Sequence, residues 1–131
     1  MKLLLDTQAL LWWRHGHRKL GRRAHRTIEA DANAVWVSAA TVWEIAIKSR
    51  GGKLRLRDPL DAWMPDALEQ LGFSPLNVTI AHAIAVGSLP DHHADPFDRL
   101  LIVQAQLEDL TIVTSDAAFE DYDVKLLDAH S

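Results

Sequence analysis

The sequence predicts an α/β fold in which a parallel sheet of about five short strands is flanked by helices. Segments typical of strands and of helices alternate along the whole chain, which is the order that β–α–β units produce. The strand segments are short and apolar, as expected when helices cover both faces of a sheet. With 131 residues, the chain is long enough for one domain with a core and too short for two. We therefore expect a single domain over residues 1–131.

Local signals define the elements of the first half of the chain. The apolar run at residues 2–5 is too short for a helix and is predicted to be a strand. Ser38 is a favoured N-cap residue, so a helix is expected from Ala39 to about Ser49, and Gly51 with Gly52 ends it. The other elements of this half are helices predicted at 8–13 and 22–32 and a strand at 35–37.

In the second half, prolines mark the starts of two helices. Pro59 is expected at the first position of a helix that ends at Leu71, and Pro96 at the start of one that reaches Glu108. The remaining elements are a strand at 73–76, a helix at 79–86, a strand at 110–113, a helical turn at 117–119 and a strand at 124–127.

Composition excludes several classes of function. The chain has no cysteine, which rules out disulfides, thiolate catalysis and cysteine-ligated zinc. The initial apolar run ends at Asp6, and no apolar stretch approaches the roughly 20 residues that span a bilayer. We therefore predict a cytoplasmic protein with no signal peptide and no membrane partner.

Charge is distributed unevenly along the chain. Residues 14–57 hold 11 of the 14 Lys and Arg residues and three acids, a balance of +8. The rest holds three basic and 15 acidic residues, a balance of −12, which leaves a net charge of −4. The basic segment could attract a polyanion or an acidic protein segment, or it could simply be a solvated helix face and loop.

Four carboxylates abut or interrupt apolar runs, namely Asp6, Glu44, Asp98 and Asp116. Four converging carboxylates would raise one another's pKa values unless a cation lay between them. Asp6 and Asp116 both follow predicted strands, at the edge where parallel sheets form their sites. An oxygen-only site of this kind suits Mg²⁺ or Mn²⁺ and supports attack of water on a phosphodiester.

Asp6, Asp116 and Glu44 also have structural explanations. Asp6 and Asp116 could each cap the helical segment that follows. Glu44 could form a surface pair with Lys48, four residues further on. However, apolar residues surround Glu44 in the sequence, so we expect this helix to be mostly buried and its carboxylate to face a site.

Asp95 and Asp98 have different predicted roles. Asp95 precedes Pro96 and fits the N-cap position of the following helix. Asp98 then falls at the third helical position, one turn before Leu101, and is predicted to be the ligand. We assign no metal role to the adjacent histidines 92 and 93, whose side chains should diverge, and we expect His82 on a helix surface.

Four segments together resemble the PIN-domain ribonucleases, specifically the VapC-type toxins of bacterial toxin–antitoxin pairs. The segments are residues 4–7, 37–48, 93–105 and 113–116, of which the third is the most specific. The resemblance implies a parallel sheet of about five strands, a homodimer, RNA cleavage that depends on Mg²⁺ or Mn²⁺, and a cognate antitoxin protein. It also implies that Asp6, Glu44, Asp98 and Asp116 form the catalytic site, with Asp6 and Asp98 the most direct metal ligands.

An alternative class is a Mg²⁺-binding regulatory or interaction module without nuclease activity, such as a response-regulator receiver. That fold also has a parallel sheet and an acidic cluster, but it requires an aspartate after a central strand and a later lysine. Here Ser38 follows the second predicted strand, and no lysine follows the fourth within Thr114-Ser115-Asp116. These departures favour the nuclease over the receiver.

Overall fold

The computed structural model describes all residues from Met1 to Ser131, and its core is a five-stranded sheet. In chain order the elements are β1 Lys2–Leu5, α1 Thr7–His15, α2 Arg22–Glu29, β2 Ala34–Ser38, α3 Ala39–Arg50, α4 Leu60–Leu71, β3 Ser74–Leu76, α5 Ile80–Val86, α6 Pro96–Glu108, β4 Thr111–Thr114, a 3₁₀ helix Ala117–Asp121, and β5 Lys125–Asp128. All strand pairs are parallel. The predicted fold class, a parallel sheet of five short strands flanked by helices, is confirmed.

The sheet order, β3-β2-β1-β4-β5, determines where a site can form. β1 lies at the centre, and the chain proceeds from it to β2 on one side and later returns to β4 on the other. Side chains beyond the carboxyl ends of β1 and β4 therefore surround a topological switch point, where open α/β sheets bind their ligands.

Alternation along β1 divides the core into two layers. Leu3 and Leu5 belong to a cluster with residues of α1, α2 and α4, whereas Leu4 belongs to a second cluster with residues of α6. Successive side chains of a strand point to opposite faces. Helices thus cover both faces of the central strand, which accounts for its uninterrupted leucines.

Most predicted boundaries agree with the structure to within one or two residues. α2 is shorter than expected because the chain turns at Ala30, and the Asn33 side chain donates to the carbonyl of Thr27 in the last turn. Pro59 precedes α4 as its N-cap residue rather than occupying the first helical position.

The expectation that α3 is mostly buried is wrong. Its Glu44 and Ile45 are buried, but Trp43 is 58% exposed and Ile47 is 47% exposed. A helix that packs through one face leaves its other side in solvent, and here that side carries apolar residues. The exposed indole of Trp43 lies edge-on to the ring of Phe97 on α6, with ring centroids 5.1 Å apart.

None of the helices is both long enough and apolar enough to cross a lipid bilayer.

Candidate active site

Two aspartates lie at the carboxyl edge of the sheet, where the topology places a site. Asp6 follows β1 directly, and its carboxylate caps α1 by accepting the N–H of Ala9 at 2.8 Å. Asp116 lies two residues after β4 and caps the 3₁₀ helix by accepting the N–H of Ala118 at 2.9 Å. Both residues therefore hold the cap positions expected from the sequence while lying at the switch point.

Glu44 approaches the same edge from α3. Its buried carboxylate accepts the hydroxyl hydrogen of Thr7 at 2.5 Å and forms an ion pair with Lys48. The hydrogen bond with Glu44 raises the pKa of the Lys48 ammonium group. The predicted Glu44–Lys48 pair is thus present, but its carboxylate faces a cavity rather than bulk water.

Asp95 caps α6 as predicted, and both Asp95 and Asp98 line the cavity at this edge of the sheet. The Asp95 carboxylate accepts the N–H groups of Phe97 and Asp98 at 2.9 and 3.0 Å, which fixes the first turn of α6. Asp98 projects from that turn, and its Oδ2 lies 2.8 Å from Nε2 of His93. The same His93 nitrogen lies 3.6 Å from Oδ2 of Asp116.

All four predicted site residues line one cavity of about 500 Å³, together with Asp95 and His93. Lys48 and Lys53 supply its positive charges, and Thr7, Gln8 and Ser115 supply further polar groups. Five carboxylates therefore share a small space with two ammonium groups. Four other cavities of the protein are each lined by three carboxylates or fewer.

Burial and mutual repulsion raise the pKa values of two of these acids. Burial raises the pKa of Asp6 to about 6, although hydrogen bonds from Thr114 and Ala9 oppose the shift. Burial, followed by the charges of Asp95 and Glu44, raises the pKa of Asp98 to about 7. Without a cation, the cavity therefore favours retention of protons near neutral pH.

These pKa shifts predict how the stability of the metal-free protein depends on pH. Unfolded aspartates titrate near 3.8, below the folded values of about 6 and about 7. Between about pH 4 and about pH 7 the folded state binds more protons than the unfolded state, so the free energy of unfolding should fall as the pH rises. The double variant Asp6→Asn/Asp98→Asn lacks both titrating groups and should not share this loss.

Chemical denaturation in EDTA at about pH 5 and about pH 8 measures the effect. Between these two pH values, we expect the free energy of unfolding of the wild type to fall by more than about 1 kcal/mol relative to that of the double variant. One unit of pKa shift corresponds to about 1.4 kcal/mol. Equal pH dependence of the two proteins would contradict the raised pKa values.

The donor atoms of the cavity fit a hard divalent cation. Carboxylate oxygens dominate, as Mg²⁺ and Mn²⁺ prefer, and the five carboxylates outnumber the two ammonium groups of the cavity. Ligand atoms of His93, Asp98 and Asp116 lie within 4.8 Å of one another. Asp6 lies in the same cavity but outside that triad.

Two histidines have surroundings that the sequence did not predict. His93 points into the acidic cavity, and His82 is 1% exposed instead of lying on a helix surface. His82 completes a capping box with Thr79, and its Nε2 lies 2.9 Å from the carboxylate of Glu108. Residue spacing alone does not reveal these contacts, because both depend on how α6 packs against the preceding segments.

Fold and site together define an α/β protein with an acidic cavity at its switch point, and comparison with known proteins identifies its family. The PIN domain family matches residues 3–125, so the chain belongs to that family. Ribonuclease VapC16 of Mycobacterium tuberculosis (strain ATCC 25618 / H37Rv) is 42% identical over 72 residues, covering 52% of this chain. The match spans 51% of that protein, about half of its length.

Solved structures share the fold at low sequence identity. VapBC2 from Rickettsia felis, bound to a DNA fragment from its promoter, matches with a TM-score of 0.73 and 16% identity over 97% of this chain and 98% of the other. FitAcB from Neisseria gonorrhoeae matches with a TM-score of 0.60 and 20% identity over 97% of each chain. These two likenesses support the architecture described above.

Proposed function

We propose that this protein is a metal-dependent endoribonuclease that acts as the toxin of a toxin–antitoxin pair. The observation that carries the proposal is the convergence of Asp6, Glu44, Asp98 and Asp116 in one cavity at the switch point of a PIN domain. The similarity to Ribonuclease VapC16 supports RNA as the substrate class.

The mechanism assigns a task to each side chain in the cavity. Asp6 and Asp98 would hold Mg²⁺ or Mn²⁺, which supplies charge stabilisation and acidifies a bound water when present. Glu44 and Asp116 complete the acidic wall and accept hydrogen bonds from the attacking water. The hydroxyl of Thr7 fixes the orientation of Glu44.

Positive groups and the histidine have supporting tasks. Lys48 and Lys53 lie at the cavity and can neutralise charge on the phosphate oxygens as the substrate enters. The imidazole of His93 contacts Asp98 and thereby limits the positions that its carboxylate can adopt.

Expression of the chain in a bacterial host without its partner tests the toxin assignment. We expect growth to stop and new RNA 5′ ends to accumulate at defined positions, and neither effect with Asp98→Asn. Growth arrest that persists in the variant would show that toxicity does not come from this cavity.

A protein partner is the second part of the proposal. The resemblance of four sequence segments to VapC-type toxins implies a cognate antitoxin protein as that partner. In this chain a groove of about 280 Å³ runs between α1 and α4, lined by Trp13, Trp63 and Leu71 among others. The Arg14 guanidinium lies 5.0 Å from the centre of the Trp63 ring. Such a mostly apolar groove can receive the apolar face of an antitoxin segment.

Self-association is the third part of the proposal. Ile80 and Ile84 lie four residues apart on α5 and are 82% and 71% exposed. Residues at this spacing share one helix face, and paired exposed isoleucines are a feature of interaction surfaces. We propose that this face of α5 forms the contact of a homodimer.

Charge substitution on this face tests the dimer. Ile80→Lys/Ile84→Lys should raise the dimer dissociation constant at least about 100-fold, since burying one isoleucine contributes about 1.5–3 kcal/mol. Leu71→Lys, at a 41% exposed leucine in the α1–α4 groove, is the matched control and should remain dimeric. Sedimentation equilibrium measures both, and an unchanged dissociation constant in the double variant would contradict this interface.

A further inference from the structure

A second charged cavity, of opposite sign, lies at the corner where α1 meets α2. It measures about 460 Å³, and the side chains that line it include Trp12, His17, Arg18, Arg22, His25 and Arg26. Three guanidinium groups and no carboxylate line it. This arginine pocket contains three of the 11 basic residues of the basic segment at residues 14–57.

The three arginines of the pocket have no acidic partner. None of Arg18, Arg22 and Arg26 forms an ion pair, which also holds for the exposed Arg23, Arg50, Arg55 and Arg57. Arg18, Arg22 and Arg26 differ from those four because they line one cavity. Arg22 and Arg26 lie four residues apart on α2, a spacing at which like charges destabilise a helix by a few tenths of a kcal/mol. An anion bound between these groups would remove that repulsion.

The arginine pocket is connected to the acidic cavity along the protein surface. Asp116 lines the acidic cavity and also a smaller cleft of about 170 Å³ that includes His130. The His130 ring lies 5.2 Å from the ring of Trp12, which lines the arginine pocket. Trp12 lies on α1, six residues after its N-cap Asp6, so the backbones of the two residues are roughly 9 Å apart along the helix axis.

We propose that the arginine pocket binds the phosphodiester backbone of single-stranded RNA on one side of the bond that is cut. This inference rests on the proposed ribonuclease function. Guanidinium groups match phosphate oxygens through paired hydrogen bonds, which makes arginine suited to this ligand. The rings of Trp12, His17 and His25 give unpaired bases aromatic surfaces for stacking.

RNA binding in the absence of metal tests the pocket independently of catalysis. The probe is a fluorescently labelled single-stranded RNA of mixed sequence and roughly 16 nucleotides, followed by anisotropy in EDTA. Arg22→Gln/Arg26→Gln should weaken binding by about tenfold or more and reduce the salt slope of the affinity by about 1.4, or about 0.7 for each lost phosphate contact. Both side chains are exposed, so the melting temperature should not fall.

Lys19→Gln/Arg23→Gln is the matched control, because it removes the same charge from the same corner without touching the pocket lining. We expect it to weaken binding by less than about threefold. Equal losses of RNA affinity in the two double variants would overturn the pocket and indicate diffuse electrostatic attraction by the basic surface. Unchanged RNA affinity in both double variants would also overturn it. If Arg22→Gln/Arg26→Gln keeps its affinity for RNA but loses affinity for a poly-glutamate probe, the pocket binds an acidic protein segment and the RNA proposal is overturned.

The failure of this inference is distinguishable from the failure of the nuclease. If the wild type cleaves RNA but its binding does not depend on Arg22 and Arg26, only the pocket is overturned. If binding depends on these arginines but no RNA is cut under any metal condition, the catalytic proposal is overturned and the RNA-binding pocket remains.

Discussion

Replacing Asp98 with asparagine should reduce the single-turnover rate of RNA cleavage on the order of 10³-fold, or about 4 kcal/mol in activation free energy. The amide keeps the size of the side chain but removes the negative charge that would hold a metal in the cavity. The fold should survive, because burial already disfavours the charged form of Asp98, whose pKa is raised to about 7. Quench-flow cleavage assays and thermal melting measure the two effects.

Asp95→Asn is the matched control for this substitution. Asp95 lies three residues earlier and lines the same cavity, but its carboxylate oxygen caps α6. Asparagine is about as good a cap as aspartate, so the helix start should be retained and the rate should fall less than about tenfold. Equal losses at the two positions would contradict the division between cap and ligand.

Asp6→Asn should lower cleavage by a similar amount, on the order of 10³-fold, while the protein stays folded. Asparagine can still accept the N–H of Ala9, so the cap of α1 should persist. Loss of the charge should not destabilise the metal-free protein, because burial raises the pKa of Asp6 to about 6. Cleavage rates and denaturant unfolding of the purified variant test both statements.

Asp6→Ala separates the two roles of this residue. Alanine removes both the charge and the cap, so it should lose cleavage as Asp6→Asn does and also about 1 kcal/mol of stability. An unfolded Asp6→Asn protein would show that Asp6 is a structural residue, which would remove it from the proposed metal site.

The sequence was sufficient to predict the fold because local and global signals agree. Short apolar strands, N-cap residues such as Ser38 and Asp95, and the glycine that follows α4 each mark an element that the structure contains. The grouping of the four acids was also predictable in part. Asp6 and Asp116 follow strands, and parallel strands end at the same edge of a sheet.

Contacts between distant segments were not predictable from residue spacing. The direction of His93 depends on the loop before α6, and the burial of His82 depends on the packing of α5 against α6. The exposure of Trp43 could not be read from an apolar stretch, because such a stretch does not indicate which helix face meets the core. Likewise, the sequence did not indicate which residues of the basic segment lie together. The structure shows that Arg18, Arg22 and Arg26 line one cavity.

Incubation of purified protein, free of any partner, with a mixed pool of RNA tests the central claim most directly. The reactions contain Mg²⁺, Mn²⁺ or EDTA, and Asp98→Asn is assayed beside the wild type. We predict cleavage at defined sites with either metal, none in EDTA, restoration when metal is added back, and a near-complete loss in the variant. Cleavage that persists in EDTA or in Asp98→Asn, or a folded wild type that cuts no RNA under either metal, would contradict the assignment of this cavity as a metal-dependent ribonuclease site.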